Sequence, residues 1–198
     1  MRFVTVLAAL DTGSSFEGMG ASREVAFSAL AEPALLVGLA AVARLTGSCS
    51  LSDMFQGLSL GTYLHAGPVL VLVGGALLIV FLTENARIPV DDPNTHLELT
   101  MIHEVMVLDH SGPDFAFILY GAALKLWVLG SLLIHVVAPV RTGHAGLDIA
   151  AALCAMAGLG VLVGIIESCM ARLRLVRVPR LLMGAVVLSA LAFVLLLR

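Results

Sequence analysis

The chain has 198 residues, 60% of them hydrophobic and only 13% charged, with a mean hydropathy of +1.04. A soluble domain carries roughly 45–50% apolar residues, so this composition excludes a water-soluble fold and points to a bilayer. The formal net charge of −3 excludes nucleic-acid binding by bulk electrostatics, and no basic tract offsets it.

Residues 1 to 10, MRFVTVLAAL, are too short to cross a membrane alone. No small-residue cleavage motif follows them, so they read as the last turns of a helix rather than as a signal peptide. Residues 11 to 24 read as a loop, whose Gly18, Gly20 and Ser22 lack the lysine of a phosphate-binding loop. Five later stretches have spanning character: Val25 to Ala43, Ala66 to Leu82, Phe115 to Val137, Leu147 to Ile166 and Leu181 to Leu197. A transmembrane helix needs about 20 apolar residues. The predicted fold is therefore all-α, a polytopic membrane helical bundle of five full transmembrane helices, an N-terminal partial helix and one interfacial amphipathic helix. It forms a single membrane domain over residues 1–198. Loops 44–65 and 138–146 read as plain connectors, and no repeat of fixed period is present. Gly160 and Gly164 form a GxxxG, the pattern of close helix packing.

Cys49, Cys154 and Cys169 form no CxxC pair, whereas an iron–sulfur cluster needs about four neighbouring thiolates. No GxSxG or similar nucleophile motif occurs. The chain is thus expected to bind no cofactor or metal of its own and to catalyse nothing by itself.

Orientation follows from the basic loop Arg172, Arg174, Arg177 and Arg180, which the positive-inside rule places in the cytoplasm. Counting back puts residues 11–24 and the insert at 84–114 on that face. Arg23 and Arg87 then join the four arginines, while Arg44 and Arg141 fall opposite.

The insert, ENARIPVDDPNTHLELTMIHEVMVLDHSGPD, holds Glu84, Asp91, Asp92, Glu98, Glu104, Asp109 and Asp114, half of the fourteen acids. A membrane protein that concentrates ionisable groups in one loop presents that loop to something. Pro89 and Pro93 stop the preceding helix, and Asp91 and Asp92 can cap the next. An ordinary polar loop with good capping chemistry is the plainer alternative. From Thr95 to His110 the pattern is that of an interfacial amphipathic helix, with His96, His103 and His110 recurring every seven residues on one face. Histidine titrates near neutral pH, so this stripe suits proton handling or partner contact; solvated histidines at a headgroup boundary are the alternative. Seven residues span roughly 10 Å of helix, too far for one shared metal ion.

Charges inside the spans carry more information, because each costs roughly 2.5–3.5 kcal/mol at mid-helix. Lys125 lies at the middle of its span and needs a buried carboxylate or a water path, with Glu24, Glu32 and Glu167 as candidate partners. Pro33 weakens the hydrogen-bond ladder beside Glu32. A static ion pair is one reading of these groups, and a proton path is the preferred one.

DTGSSFEGMGASRE at 11 to 24, the insert at 84 to 114 and ARLRLVRVP at 171 to 179 resemble the membrane subunit shared by respiratory complex I (subunit 1) and the group 4 membrane-bound NiFe hydrogenases, formate hydrogenlyase among them. The wording IPVDDP and HEVMVLDHSG looks closer to the hydrogenase branch. The resemblance covers essentially the whole chain. It implies a non-catalytic subunit that anchors a soluble redox arm in a bacterial or archaeal cytoplasmic membrane and couples its electron transfer to ion movement. Its implied partners are hydrogenase-like large and small subunits, an iron–sulfur subunit and antiporter-like membrane subunits, which carry the NiFe centre and the clusters. Within the family's order of helices, the chain is expected to run from the end of the third helix through the eighth, without the first two to three.

Carried over by the resemblance, Glu84, Arg87, Asp91, Asp92, Glu98 and Glu104 match the acidic loop facing the redox subunits. Arg23, Glu24 and Glu32 match the polar cluster leading into the membrane. The cost of burying charge adds Lys125 and Glu167 to the proton-path candidates. Arg23, Arg87, His96, His103, His110 and Asp109 are the partner-interface candidates. Two other readings remain: a quinone-site membrane subunit of a complex I-type NADH dehydrogenase, and a stand-alone ion transporter using Lys125 and the buried carboxylates.

Overall fold

A computed structural model describes residues 2–91, 102–139 and 143–197, leaving aside the side chains of Arg2, Leu60 and Glu104. Asp92, His96 and Glu98 lie outside the described residues. All regular elements described are helices: α1 (Arg2–Asp11), α2 (Ser15–Thr46), α3 (Leu51–Gly57), α4 (Leu60–Glu84), α5 (Gly112–Val137), α6 (Ala145–Cys169) and α7 (Val178–Leu195), with short 3₁₀ turns at Glu104–Val107 and Leu175–Arg177. Five of them, α2, α4, α5, α6 and the helix ending at Leu195, are long and apolar enough to cross a membrane. The chain is a multi-pass membrane protein.

Local chemistry sets the helix ends. Ser59 caps α4 by accepting from the Thr62 amide, and the Thr62 side chain reciprocates. Gly47 ends α2 in the left-handed conformation, at φ 73°, with its amide on the Ala43 carbonyl. Pro68 lies inside α4, and the helix kinks two residues before it, at Ala66 (φ −116°, ψ 19°), because the ring removes a donor and crowds the preceding turn.

The core is the three-helix contact of α2, α4 and α7. Gly38 of α2 lets Val73 and Leu77 of α4 and Ser189 of α7 approach to 3.7–3.9 Å of where a Cβ would stand. Ala31, Ala34, Ala41, Ala76, Ala185 and Ala192 are fully buried around it. Small residues suit a membrane bundle, where helices associate by close packing rather than by escape from water. α5 joins this core by laying Leu133 and Val136 against α4, and α6 joins mainly through α5, where Met156 and Leu159 pack on Gly130.

Three expectations are corrected. Residues 15–24 are not loop but the first turns of α2: Ser14 is extended at the N-cap and Glu17 occupies the first turn, where an acid suits the helix dipole. Loop 44–65 is more than a connector, because α3 forms there, buries Met54 and stacks Phe55 on His135 of α5. Among the described residues the GxxxG glycines make no close packing: no atom there lies within 4 Å of a Cβ built at Gly160 or Gly164, and both line a cavity instead.

Candidate functional site

α2 is 32 residues long. At 1.5 Å per residue it reaches about 48 Å, well beyond a hydrocarbon core of about 30 Å. Its surplus N-terminal turns carry Glu17, Arg23 and Glu24, and onto them folds the end of the insert, residues 102–110. That part of the expected amphipathic helix is a 3₁₀ turn at Glu104–Val107, not an α-helix. Gly20 explains how it docks: a Cβ there would overlap Val105 Cγ1 and stand 3.0 Å from the Ile102 carbonyl oxygen. Val105 and Met106 are buried in the contact, whereas Leu108 is 52% exposed.

Carboxylates hold the docked segment at both ends. Asp91, buried, accepts at Oδ2 from the Ile102 amide (3.1 Å) and the His103 amide (3.4 Å), and at Oδ1 from Arg172 Nη2 (2.9 Å). The Leu173 amide also donates to the Pro89 carbonyl (2.9 Å). Asp91 thus joins three segments far apart in sequence. Glu17, fully buried, accepts from the Asp109 amide (3.0 Å) at Oε1 and from the Thr12 hydroxyl at Oε2. Glu17 was not among the sequence candidates; with residues 11–24 taken as loop, its first-turn position gave no signal.

Between these two pins, His103 Nε2 lies 3.4 Å from Glu24 Oε2. Neither ring nitrogen of His103 makes a hydrogen bond among the described residues. His110 is half-buried and Asp109 exposed at the outer edge of the segment, and Arg23 donates to the Met19 thioether at 2.9 Å.

A second group of charges lies along α5. Lys125, at the middle of that helix, places Nζ 3.9 Å from Oε2 of Glu84, the last residue of α4. Glu84 was a site candidate but not an expected partner of Lys125; of the three partners considered, Glu24 faces His103 and Glu167 faces Arg87 (3.6 Å). Glu32, itself exposed, shares with Lys125 and Glu84 an open cavity of about 440 Å³ on the side of the bundle, otherwise lined by apolar residues such as Leu35, Val80 and Leu129. On the other side of α5, Arg87 and Glu167 border a cavity of about 170 Å³ with Phe81, Leu126 and the two GxxxG glycines. Because Glu84 ends α4 beside the middle of α5, the polar insert starts halfway along its neighbour. Ionisable groups therefore extend from the docked segment into the body of the bundle, where low dielectric makes each one costly unless paired or hydrated.

Among the described residues no group of three or more His, Cys, Asp or Glu could hold a metal ion.

The family model described as NADH dehydrogenase matches residues 1–198. The chain is 33% identical to formate hydrogenlyase subunit 4 of Escherichia coli (strain K12), over 98% of its own length and 64% of that protein's. It is 34% identical to hydrogenase-4 component C of the same organism, over 70% of its own length and 42% of that protein's. It thus spans just under two thirds of the first relative and less than half of the second. With a family match along its full length, the chain belongs to the NADH dehydrogenase family of complex I subunit 1-like membrane proteins.

Proposed function

We propose that the chain is the membrane-anchoring, proton-coupling subunit of a group 4 NiFe hydrogenase or formate hydrogenlyase-type complex. It sits in the cytoplasmic membrane with residues 84–114 toward the cytoplasm, where the insert meets the redox subunits, and it passes protons toward antiporter-like membrane subunits. The observation that carries this reading is the Lys125–Glu84 pair on a cavity shared with Glu32, placed halfway along α5. A purely packing ion pair has no need of a third ionisable group and open volume beside it. The names of the two relatives, both subunits of hydrogenase systems, support the same assignment.

In this scheme the NiFe centre and the iron–sulfur clusters belong to partner subunits, and this chain supplies carboxylates, His103 and Lys125. Glu84→Gln is expected to insert normally and to lower hydrogen-linked turnover of the assembled complex. Full wild-type turnover would contradict the reading. The family's NADH dehydrogenase description favours one alternative, a quinone-site subunit, which predicts that a quinone analogue inhibits turnover. A stand-alone transporter predicts ion flux by the purified chain alone in liposomes.

A further inference from the structure

The basic side chains of the charged site are engaged: Arg172 on Asp91, Arg87 on Glu167 and Lys125 on Glu84. Arg174, Arg177 and Arg180 differ. All three are exposed, and none takes part in an ion pair or a side-chain hydrogen bond among the described residues. They occur at intervals of three along the 3₁₀ turn Leu175–Arg177 and the first turn of α7. Arg174 is the extended N-cap of the 3₁₀ turn and Arg177 its last residue, whose amide donates to the Arg174 carbonyl (2.7 Å); a reverse turn of this kind keeps the two Cα atoms within about 7 Å of each other. Their opposite side is anchored, with Val178 and Leu182 fully buried in the core.

Arg180 also heads a stripe. Met183, Val187, Leu191 and Val194, spaced at helical intervals below it, are 49–61% exposed on the outer face of α7, and Val176 between the arginines is 78% exposed. A cluster of guanidiniums at the start of a membrane helix, continued by an apolar strip along it, has the layout of one amphipathic molecule with an anionic head and long tails. Guanidinium forks match phosphate oxygens in geometry and charge, and basic groups at the membrane boundary attract anionic lipid.

We propose that Arg174, Arg177 and Arg180, with the outer apolar stripe of α7, form a binding site for an anionic phospholipid. The headgroup phosphate lies among the three guanidiniums and the acyl chains run along Met183 to Val194. An acidic protein surface would satisfy the arginines but would leave the stripe below them without a role, which is why the lipid is favoured.

The test is the association of spin-labelled phosphatidylglycerol with the purified chain in phosphatidylcholine nanodiscs, read as the motionally restricted fraction relative to labelled phosphatidylcholine. Nanodiscs expose both faces, so any effect of the arginines on insertion direction does not enter. Each Arg→Gln change is expected to weaken the phosphatidylglycerol preference about 5-fold, and the three together on the order of 100-fold. Three Arg→Lys changes should keep most of the preference, and inorganic phosphate in excess should leave the lipid in place. If the triple variant does not fold, Arg177→Gln alone carries the comparison. Unchanged preference in the Gln variants, or displacement by free phosphate, overturns the proposal. So does loss of a soluble subunit from the purified complex with lipid preference intact, which would assign the arginines to a protein.

Discussion

Asp91 and Glu84 stand seven residues apart in one insert, yet their surroundings differ in kind. Asp91 accepts from one guanidinium and two adjacent backbone amides drawn from two other segments. Glu84 has its lysine at a loose 3.9 Å and a cavity beside it. A carboxylate whose acceptor sites are filled by fixed donors has little freedom to take up a proton without undoing its neighbours. One that faces open volume and a second carboxylate has that freedom. On the proposed reading, acidic residues in a single loop are therefore not interchangeable: Asp91 holds the junction together, and Glu84 is the one that exchanges charge.

Substitutions can break this contrast, starting with the largest effect. Asp91→Ala removes the anion and leaves Arg172 and two amides unmatched. Losing one partner of a buried pair typically costs about 3–5 kcal/mol, so the variant should melt markedly lower in detergent and residues 102–110 should become open to protease. Gly20→Leu forces the docked turn off α2. Overpacking of this kind costs about 1–3 kcal/mol, and faster hydrogen exchange at residues 102–109 with little change in α4 would report it. Glu84→Gln, by contrast, should shift the melting temperature by less than either while impairing turnover. Gly160→Ala should be the mildest. Among the described residues nothing stands within 4 Å of the new methyl, and a gain of up to about 1 kcal/mol in helix propensity predicts an unchanged or slightly raised melting temperature.

Much of the fold was legible because apolar runs of spanning length leave little choice in a bilayer. Helix ends were not. Polar SFEGMGASRE looked like loop, yet it is helical because Gly20 and the buried Glu17 receive residues 102–109 from a distant part of the chain. The need of Lys125 for a carboxylate could be read from its position in mid-span, but the partner could not. Glu84 was not among the partners considered, and it is the packing of the end of α4 against α5 that brings it to Lys125. GxxxG misled because small residues accompany either close packing or a cavity, and sequence alone does not separate the two. The pairing of His103 with Glu24 was half visible: both were candidates, but the seven-residue stripe assumed an α-helix where a 3₁₀ turn stands.

The contrast rests most heavily on Lys125. Turnover-linked proton movement by the assembled complex in liposomes, compared between the wild type, Lys125→Met and Arg172→Met, tests it directly. Lys125→Met should keep assembly and lose proton movement by on the order of 10²-fold, the scale for removing a positioned proton-transfer group. Arg172→Met should lose assembly and proton movement together. Proton movement at the wild-type level in correctly assembled Lys125→Met would contradict the account.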